Sequence, residues 1–330
     1  RVETDDQLRD ALKAATPGTK IVISPGNYSP ISFSLNGERN APILLEGEND
    51  GVTFDRGQDG INVEGSSFLV LSGLSANGND RAGLRIVNSN HIKVSNCRFS
   101  ENGKWGIFTG FVEHLSLVGN HCNQSKTQHG IYVSNSGDHV TIRENRCAGN
   151  SGSGIQINGD LNMGGDGIIS DCKIIGNALT HNGTRGGAAL NFDGLQNSII
   201  SNNCLEGNHA SGLALYRVDA AEGAMNNLVL ENRIIQPEDG RWCVTINNGS
   251  SGNILHRNTF YNNHPTRGSV TIDASSSENF KSFKNSTGLW FSVDGGESRI
   301  EIDKWQRLGF GLKNTLLFSE PNAQPSGDNN

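Results

Sequence analysis

The sequence predicts an all-β protein, a single-stranded right-handed parallel β-helix with an N-terminal capping helix. Three observations predict it: a glycine-led motif recurs along the chain, apolar residues alternate inside each repeat, and asparagine recurs at one turn. Repeats of this length with short strands and no intervening helix are typical of a solenoid whose coils pair about 4.8 Å apart. The leucine consensus of the alternative, a leucine-rich repeat, is absent.

The recurring motif is a small residue followed by a short alternating strand. It reads GINVEG from residue 60, GLRIVN from 83, GIFTGF from 106, GIYVSN from 130, GIQING from 154, ALNFDG from 189, GLALYR from 212, CVTINN from 243 and SVTIDA from 269. Alternation in pairs such as Ile131/Val133 and Ile155/Ile157 indicates strands with one buried face. The pattern predicts about nine or ten coils.

Asparagine follows a second strand in each unit, where the chain must turn. Because asparagine tolerates left-handed backbone angles and hydrogen-bonds locally, stacked turns of this kind predict an asparagine ladder. The predicted row is Asn120, Asn145, Asn177, Asn203, Asn232 and Asn258.

A solenoid needs closed ends, since open terminal coils expose strand edges and core. Residues 1–18 predict a capping helix, with Thr4 and Gln7 at capping-box spacing and an apolar stripe that includes Leu8 and Leu12. The repeat fades after residue 279, and Trp305 and Phe310 are expected to close the far end. We expect one domain over residues 1–320, with a C-terminal cap at 279–320 and a disordered tail at 321–330.

Composition excludes some partners and suggests a location. The net charge of -7 and a pI near 5.7 argue against nucleic acid and anionic membranes, and no apolar run reaches the roughly 18 residues of a membrane span. The chain begins with Arg1 rather than Met, so we expect that a secretion signal was removed and that the protein is secreted or periplasmic. Cys122 and Cys147 take the same inward position in successive repeats, which predicts free core thiols rather than disulfides. We expect a monomer.

The stretch QLRDALKAATPGTKIVISPGNYSPISFS, followed by APILLEGE, resembles the opening of parallel β-helix polysaccharide lyases of the alginate lyase and chondroitinase B type. The resemblance implies their architecture and a polysaccharide substrate, with calcium in many members. Those enzymes use a lysine base and an arginine on neighbouring coils, but Lys104 and Lys126 lie only in turns ahead of the strands. The Asp-Pro-His-Asp signature of mannuronan epimerases is also missing.

Function is expected where the chain departs from its repeat. The insertions DLNMGGDGIISD and VDAAEGAMNN follow the motifs at 154 and 212, and both leave from the same edge of their coils. Loops that interrupt a solenoid usually mark its binding face. We therefore expect loops 159–183 and 217–241 to wall a cleft centred on Asn191 and Asp193.

Outward positions between these insertions carry aromatic rings, amides and charges, which suit a sugar chain. The predicted catalytic residues are His129, Tyr132, Asn191, Asp193, Tyr216 and Arg217. The predicted substrate-binding residues are Trp105, Phe108, Gln156, Asn158, Arg185, Asp219 and Trp242.

Three functions remain open at this point. A lyase acting on a uronate glycan needs a group that binds the carboxylate, a base and an acid. Asn191, Gln156 or Arg217 can bind the carboxylate. His129 and either Tyr132 or Tyr216 can act as base and acid. A glycoside hydrolase needs paired carboxylates, for which Asp193 with Asp219, Asp160 or Asp166 are candidates. The third is a non-catalytic carbohydrate-binding or tailspike-like module. For calcium, the candidate ligands are Asp160, Asp193 and Asp219.

Overall fold

The structure, a computed structural model, describes residues 1–49, 51–135, 137–319 and 321. The chain forms an all-β parallel solenoid of about 11 turns behind a short N-terminal helix, which confirms the predicted fold class. The predicted nine or ten coils were too few, because the coils of Ile31–Phe33 and Trp290–Ser292 lack the glycine-led motif. Apart from Pro321, the predicted tail lies outside the described residues.

The coils stack on one another, and each contributes one strand to each of three parallel sheets that run along the solenoid. The first sheet, which carries the glycine-led motif, comprises Ile31–Phe33, Asp59–Glu64, Ala82–Ser95, Trp105–Glu113, Ile131–Ser134, Ile155–Asn158, Leu190–Asp193, Leu213–Tyr216, Val244–Ile246, Val270–Ile272 and Trp290–Ser292. The second sheet comprises Lys20–Ile23, Ile43–Gly47, Ser67–Ser72, the end of Ala82–Ser95, Ser116–Val118, Thr141–Arg143, Lys173–Ile175, Ile199–Ser201, Leu228–Leu230, Ile254–His256 and Lys281–Phe283.

The third sheet lies on the remaining side of the coil. It comprises Gly26–Tyr28, Val52–Phe54, Leu74–Ser75, Arg98–Ser100, His121–Asn123, Arg146–Ala148, Ala178–Thr180, Cys204–Glu206, Arg233–Gln236, Thr259–Asn262, Ser286–Thr287 and Thr315–Leu316. Outside these sheets, Ile169–Ser170 pairs with Leu195–Gln196, while Ile300–Glu301 extends the first sheet by pairing antiparallel with Trp290–Ser292. The helices are Asp5–Ala14 and Ile302–Arg307, with 3-10 turns at Leu161–Met163 and Ala274–Ser276.

Register in the first sheet follows the predicted alternation. Tyr132 pairs with Gln156, and Gln156 pairs with Asn191 on the next coil. On the same face, Asn158 pairs with Asp193 and Asp193 with Tyr216. Because parallel in-register strands hold equivalent side chains in rows, the predicted site residues lie along the solenoid axis about one strand spacing apart.

The asparagine ladder is confirmed. Asn177 Nδ2 donates to Asn203 Oδ1 at 2.9 Å, and Asn203 Nδ2 donates to Asn232 Oδ1 at the same distance. All six predicted members are buried and linked, and the row continues to Asn285 and Asn314. A second row of stacked asparagines includes Asn150, Asn182 and Asn208. These rows satisfy buried backbone groups at turns that would otherwise lose their hydrogen bonds.

Both ends of the coil are closed by apolar residues. The Thr4 side chain accepts the backbone N–H of Gln7 at 3.3 Å, and the Gln7 side chain accepts that of Glu3 at 2.7 Å. Leu8 of the first helix is fully buried. At the other end Trp305, also fully buried, stacks on Phe291 with ring centroids 4.8 Å apart.

The six cysteines, all within the described residues, form no disulfide with one another, and the inward-facing pair Cys122 and Cys147 is fully buried, as predicted. Burial raises the pKa of the Cys122 thiol well above its ordinary value, so this side chain is a neutral core residue. Among the described residues, no helix has the length and apolar character needed to cross a membrane.

Candidate functional site

The outward face of the first sheet between Phe108 and Tyr216, called here the site face, is bounded on one side by the two insertions. Residues 159–168 follow strand Ile155–Asn158, and residues 217–227 follow strand Leu213–Tyr216. The two loops contact each other: Leu161 N donates to Asp219 O at 3.0 Å, and Ala221 N donates to Gly167 O at 3.0 Å. We call this pair of loops the insert wall. The remainder of the predicted loops, up to 183 and 241, returns into the second and third sheets.

Asp193 fastens the insert wall to the sheet. Its Oδ1 accepts the backbone N–H of Val218 at 2.9 Å, and its Oδ2 accepts that of Asp219 at 2.8 Å. The residue is 1% exposed, and burial raises the pKa of its carboxyl even though these hydrogen bonds oppose the shift. Both oxygens are therefore occupied by the loop, which makes Asp193 an anchor for the wall rather than a free carboxylate facing a ligand.

A hydrogen-bonded cluster of Gln156, Asn191 and Tyr216 lies at the centre of the site face. Asn191 Nδ2 donates to the Tyr216 hydroxyl oxygen at 3.0 Å and to Gln156 Oε1 at 2.5 Å. Gln156 Nε2 approaches the same hydroxyl oxygen at 3.5 Å. Since the phenolic oxygen accepts from both amides, its own proton is used in neither bond and can be donated. Burial raises the pKa of Tyr216 to about 12, so the hydroxyl stays protonated at neutral pH.

Aromatic side chains cover the upstream part of the site face. The Trp105 and Phe108 ring centroids lie 4.6 Å apart, and the Phe108 and Tyr132 rings meet edge to face at 5.5 Å. All three side chains are half-buried, with part of each ring accessible. Such a surface can stack against the apolar face of a sugar ring. Asn158 Nδ2 contacts the Tyr132 hydroxyl oxygen at 3.4 Å and Asp219 Oδ2 at 3.4 Å, which joins the aromatic cluster to the insert wall.

His129 lies beside Tyr132, with its ring edge to face with the tyrosine ring at a centroid distance of 5.3 Å. Its Nδ1 accepts the backbone N–H of Ser153 at 2.9 Å. Because a neutral imidazole carries one proton, this bond places the proton on Nε2 and makes that nitrogen a donor. Burial lowers the pKa of His129 to about 4, so the ring is neutral at neutral pH. In this tautomer His129 is suited to donating a hydrogen bond rather than to abstracting a proton.

The downstream end of the face is covered. Trp242 is 6% exposed, and the Arg299 guanidinium lies 5.6 Å from the centroid of its ring. A side chain at Gly296 would meet Trp242 Nε1 at 3.0 Å and Thr271 Oγ1 at 3.6 Å, so the backbone at Gly296 passes close over both. The structure therefore does not bring Trp242 to the open surface with the other predicted sugar-binding residues.

Charged residues lie at the margins of the site face. Arg217 is exposed at the start of the second insertion, where its carbonyl oxygen accepts Asn248 Nδ2 at 3.0 Å. Asp219 is exposed on the insert wall, with Oδ2 3.4 Å from Asn158 Nδ2. Arg185 is exposed on the opposite side, ahead of strand Leu190–Asp193.

The three candidate calcium ligands, Asp160, Asp193 and Asp219, each accept hydrogen bonds from different groups of the protein. Asp160 Oδ1 accepts the Asn162 N–H at 3.1 Å, while Asp193 and Asp219 make the contacts given above. Among the described residues, no three histidine, cysteine or acidic side chains are grouped so as to hold a metal ion. The same engagement weakens the paired-carboxylate interpretation, since Asp166 Oδ1 also accepts a backbone N–H, that of Ile168, at 3.0 Å.

Sequence reasoning missed Ser153 and the covering segment around Gly296. The Ser153 amide fixes the His129 tautomer, but a backbone donor leaves no side-chain signal in the sequence. The glycine pair in VDGGESR, after the last coil, was an available signal for a close backbone approach.

These features define a parallel β-helix protein with a polar and aromatic face along one sheet. Two family models each match just over half of the chain: right handed beta helix region over residues 116–288, and periplasmic copper-binding protein (NosD) over residues 14–186. The chain belongs to the right-handed β-helix family and, through its N-terminal part, to the NosD family. No curated protein sequence matches it.

Solved structures of similar fold include carbohydrate enzymes and a viral protein. The alginate lyase from Paenibacillus sp. str. FPU-7 is 16% identical, with a TM-score of 0.62 and coverage of 82% of this chain and 96% of its own. The A-module of Azotobacter vinelandii mannuronan C-5 epimerase AlgE6 is 14% identical, with a TM-score of 0.53 and coverage of 96% and 94%. ORF18 of Geobacillus virus E2 is 11% identical, with a TM-score of 0.53 and coverage of 95% and 57%. The predicted resemblance in architecture to β-helix polysaccharide lyases is confirmed, and at these identities the likeness concerns the fold alone.

The described residues do not form the copper site that the description of the NosD family as copper-binding suggests. His91, His114 and His139 stack on successive coils, with ring centroids 4.5 and 4.8 Å apart. These three rings are not grouped so as to hold a metal ion, and no other three histidine, cysteine or acidic side chains of the described residues are. The buried thiol of Cys122 is held protonated, whereas metal binding requires the thiolate.

Proposed function

We propose that this protein is an extracytoplasmic polysaccharide lyase that cleaves a uronate-containing, alginate-like glycan by β-elimination on the site face. The observation that carries the proposal is the cluster in which Asn191 and Gln156 donate to the Tyr216 hydroxyl oxygen, so that neither bond uses the hydroxyl proton. The periplasmic description of one family model and the lyases and epimerases among similar structures support it.

β-Elimination from a uronate needs three functions. The carboxylate must be neutralised by hydrogen bonds, the C5 proton must be removed by a base, and the oxygen at C4 must be protonated as its bond to carbon breaks. The electron pair of the C–H bond forms the new double bond, and the C4–O bond electrons leave with the oxygen.

Tyr216 is the acid in this proposal. Its pKa of about 12 keeps the proton available, and its two amide donors hold the oxygen in place. The remaining Nε2 proton of Gln156 and the Nε2–H of His129 are suited to the carboxylate, since both are neutral donors at neutral pH. Tyr132 is the base in this proposal: as the phenolate, its proton having gone to solvent, its oxygen takes the C5 proton and becomes the neutral phenol, and Asn158 Nδ2 at 3.4 Å holds that oxygen in place.

The aromatic surface of Trp105 and Phe108 holds the sugars upstream of the cleaved bond, and the insert wall with Asn158 and Asp219 flanks the cleaved residue. Asp193 acts on this wall through the backbone of Val218 and Asp219, and is a positioning residue. Rigid strands supply Gln156 and Asn191, which favours accurate placement of the reacting groups.

The proposal is tested by incubating the protein with a panel of uronans and neutral glycans, following ultraviolet absorbance of the unsaturated product and reducing ends separately. A lyase raises both signals on at least one uronan and neither on neutral glycans. Reducing ends without absorbance would indicate hydrolysis, and no signal would indicate binding alone. Either of these results would overturn the proposal.

A further inference from the structure

A side groove with two exposed arginines lies next to the site face, on the edge opposite the insert wall. We call this the leading edge: the residues that immediately precede the strands of the first sheet. The groove has a volume of about 440 Å³ and is lined by Thr184, Arg185, His209, Asp239 and Arg241, among others. It is continuous along the edge with the coils that carry Asn191 and Tyr216.

Stacking of the coils fixes the spacing of its charges. Arg185 precedes strand Leu190–Asp193 and Arg241 precedes strand Val244–Ile246, with one coil between them. The backbone supports the stacking, since Arg241 N donates to Ala210 O at 3.1 Å. Two coils correspond to about 10 Å along the solenoid axis.

Neither arginine is neutralised by the protein. Both are exposed, and among the described residues neither forms an ion pair with a carboxylate. The equivalent Arg81, which precedes strand Ala82–Ser95, is paired with Asp59. Asp239, the one acid among the described residues that line the groove, accepts a hydrogen bond from His209 at 2.7 Å, and this bond lowers the pKa of the carboxyl. The groove therefore presents two free guanidinium groups on a chain whose net charge is -7.

We propose that Arg185 and Arg241 form a second binding site for the negatively charged groups, carboxylate or sulfate, of an anionic glycan whose sugars extend along the leading edge. A guanidinium binds either group through paired N–H donors. A sugar of an extended chain advances by roughly one coil spacing, about 5 Å, so the two arginines would meet groups about two sugars apart. The glycan as partner rests on the proposed function, while the anion site itself does not.

The test is a binding measurement in a Tyr216→Phe background, which is expected to slow cleavage about 100-fold or more during titration. The probes are hexasaccharides of 1,4-linked uronic acid, a sulfated hexasaccharide, a neutral 1,4-linked hexasaccharide and inorganic polyphosphate. The variants are Arg185→Gln, Arg241→Gln and the double substitution. Arg146→Gln is the matched control, because Arg146 is an exposed arginine on the third sheet.

We expect each single substitution to weaken charged-hexasaccharide binding about threefold and the double about tenfold, as for exposed ion pairs. Binding of the neutral hexasaccharide should be the same in all variants. The difference in charged-hexasaccharide binding between the arginine variants and their parent should disappear near 1 M salt, where exposed charges are screened. Comparison of the uronate and sulfated probes identifies which anion the site prefers. Unchanged binding in the double variant, an equal loss in Arg146→Gln, or polyphosphate binding as tight as that of the best glycan would overturn the inference.

The experiments distinguish a failure of the lyase proposal from a failure of the arginine-site proposal. Weaker anionic-glycan binding in the double variant, without cleavage by the unsubstituted protein, would support the arginine site and overturn the lyase assignment. Cleavage of a uronan with unchanged binding would overturn the arginine site alone.

Discussion

Asn191 and Tyr216, on adjacent coils of the first sheet, are joined by a 3.0 Å hydrogen bond in which the amide donates to the phenolic oxygen. The bond is diagonal, because Asn191 pairs in register with Ala214 and Tyr216 with Asp193. The small side chain of Ala214 leaves room for the tyrosine hydroxyl to reach across. This contact fixes the oxygen at the centre of the site face and leaves its proton available.

Replacing Tyr216 with phenylalanine removes that proton and keeps the ring. We expect turnover on the true substrate to fall by about 100-fold or more, as when a general acid is lost. The free energy of unfolding should fall by only about 1 kcal/mol, since the two amides lose one acceptor. Steady-state kinetics and thermal unfolding measure the two effects. Tyr261→Phe, on the third sheet, is the control, and equal turnover in both variants would remove Tyr216 from the mechanism.

Asp193→Asn should loosen the insert wall. The amide of asparagine has one acceptor oxygen where the carboxylate has two, so the backbone N–H of Val218 or Asp219 loses its partner. Hydrogen bonds to a charged group contribute about 1.5–3 kcal/mol, so amide exchange at these residues should accelerate about 10- to 100-fold.

Asp219→Asn is the matched control for hydrogen exchange, because its side chain contacts Asn158 and not these amides. If exchange at residues 218–220 is the same in both variants and in the unsubstituted protein, Asp193 is not the anchor of the wall.

Asn203→Ala should destabilise the solenoid strongly. Asn203 Oδ1 accepts from Asn177, and its Nδ2 donates to Ile174 O and Asn232 Oδ1. Removing these bonds leaves their buried partners without hydrogen bonds. We therefore expect a loss of about 3 kcal/mol in the free energy of unfolding. Asn27→Ala, at an exposed strand position, should stay within about 0.5 kcal/mol in the same urea titration. Similar midpoints for the two variants would contradict a structural role for the ladder.

His129 makes stability depend on pH in a defined window. Its pKa is about 4 in the folded protein and 6.5 ordinarily, so the unfolded chain binds more protons between these values. The free energy of unfolding therefore falls as pH is lowered from 6.5 to 4, by about 3 kcal/mol at most from this residue. His129→Gln should flatten that part of the profile, while His181→Gln, at an exposed position, should not. Parallel profiles for the two variants would show that His129 does not titrate in this way.

The repeat and its rows were predictable because they depend on local pattern. Alternation identified the outward position of Gln156, and asparagine spacing identified the ladder through Asn203. Each coil contacts its immediate neighbours, so a correct repeat alignment also gives the neighbours of each residue. The coil of Ile31–Phe33 was not predicted, because it lacks the glycine-led motif by which the repeats were aligned.

What covers an outward side chain could not be predicted in the same way. Asp193 and Trp242 occupy outward or flanking positions as expected, yet one is covered by the backbone of Val218 and the other by the segment at Gly296. Both covers come from non-repeating segments, whose paths are not determined by coil periodicity. The His129 tautomer depends on the backbone of Ser153 in the next coil, which alternation does not reveal.

The most direct test of the central claim is a crystal structure of the Tyr216→Phe variant soaked with a hexasaccharide of the uronan that the unsubstituted protein cleaves. The account predicts an intact sugar chain along the first sheet, with one uronate carboxylate near Gln156 and His129 and the adjoining glycosidic oxygen over the ring at position 216. An oligosaccharide bound on the second or third sheet, with the site face between Phe108 and position 216 empty, would contradict it.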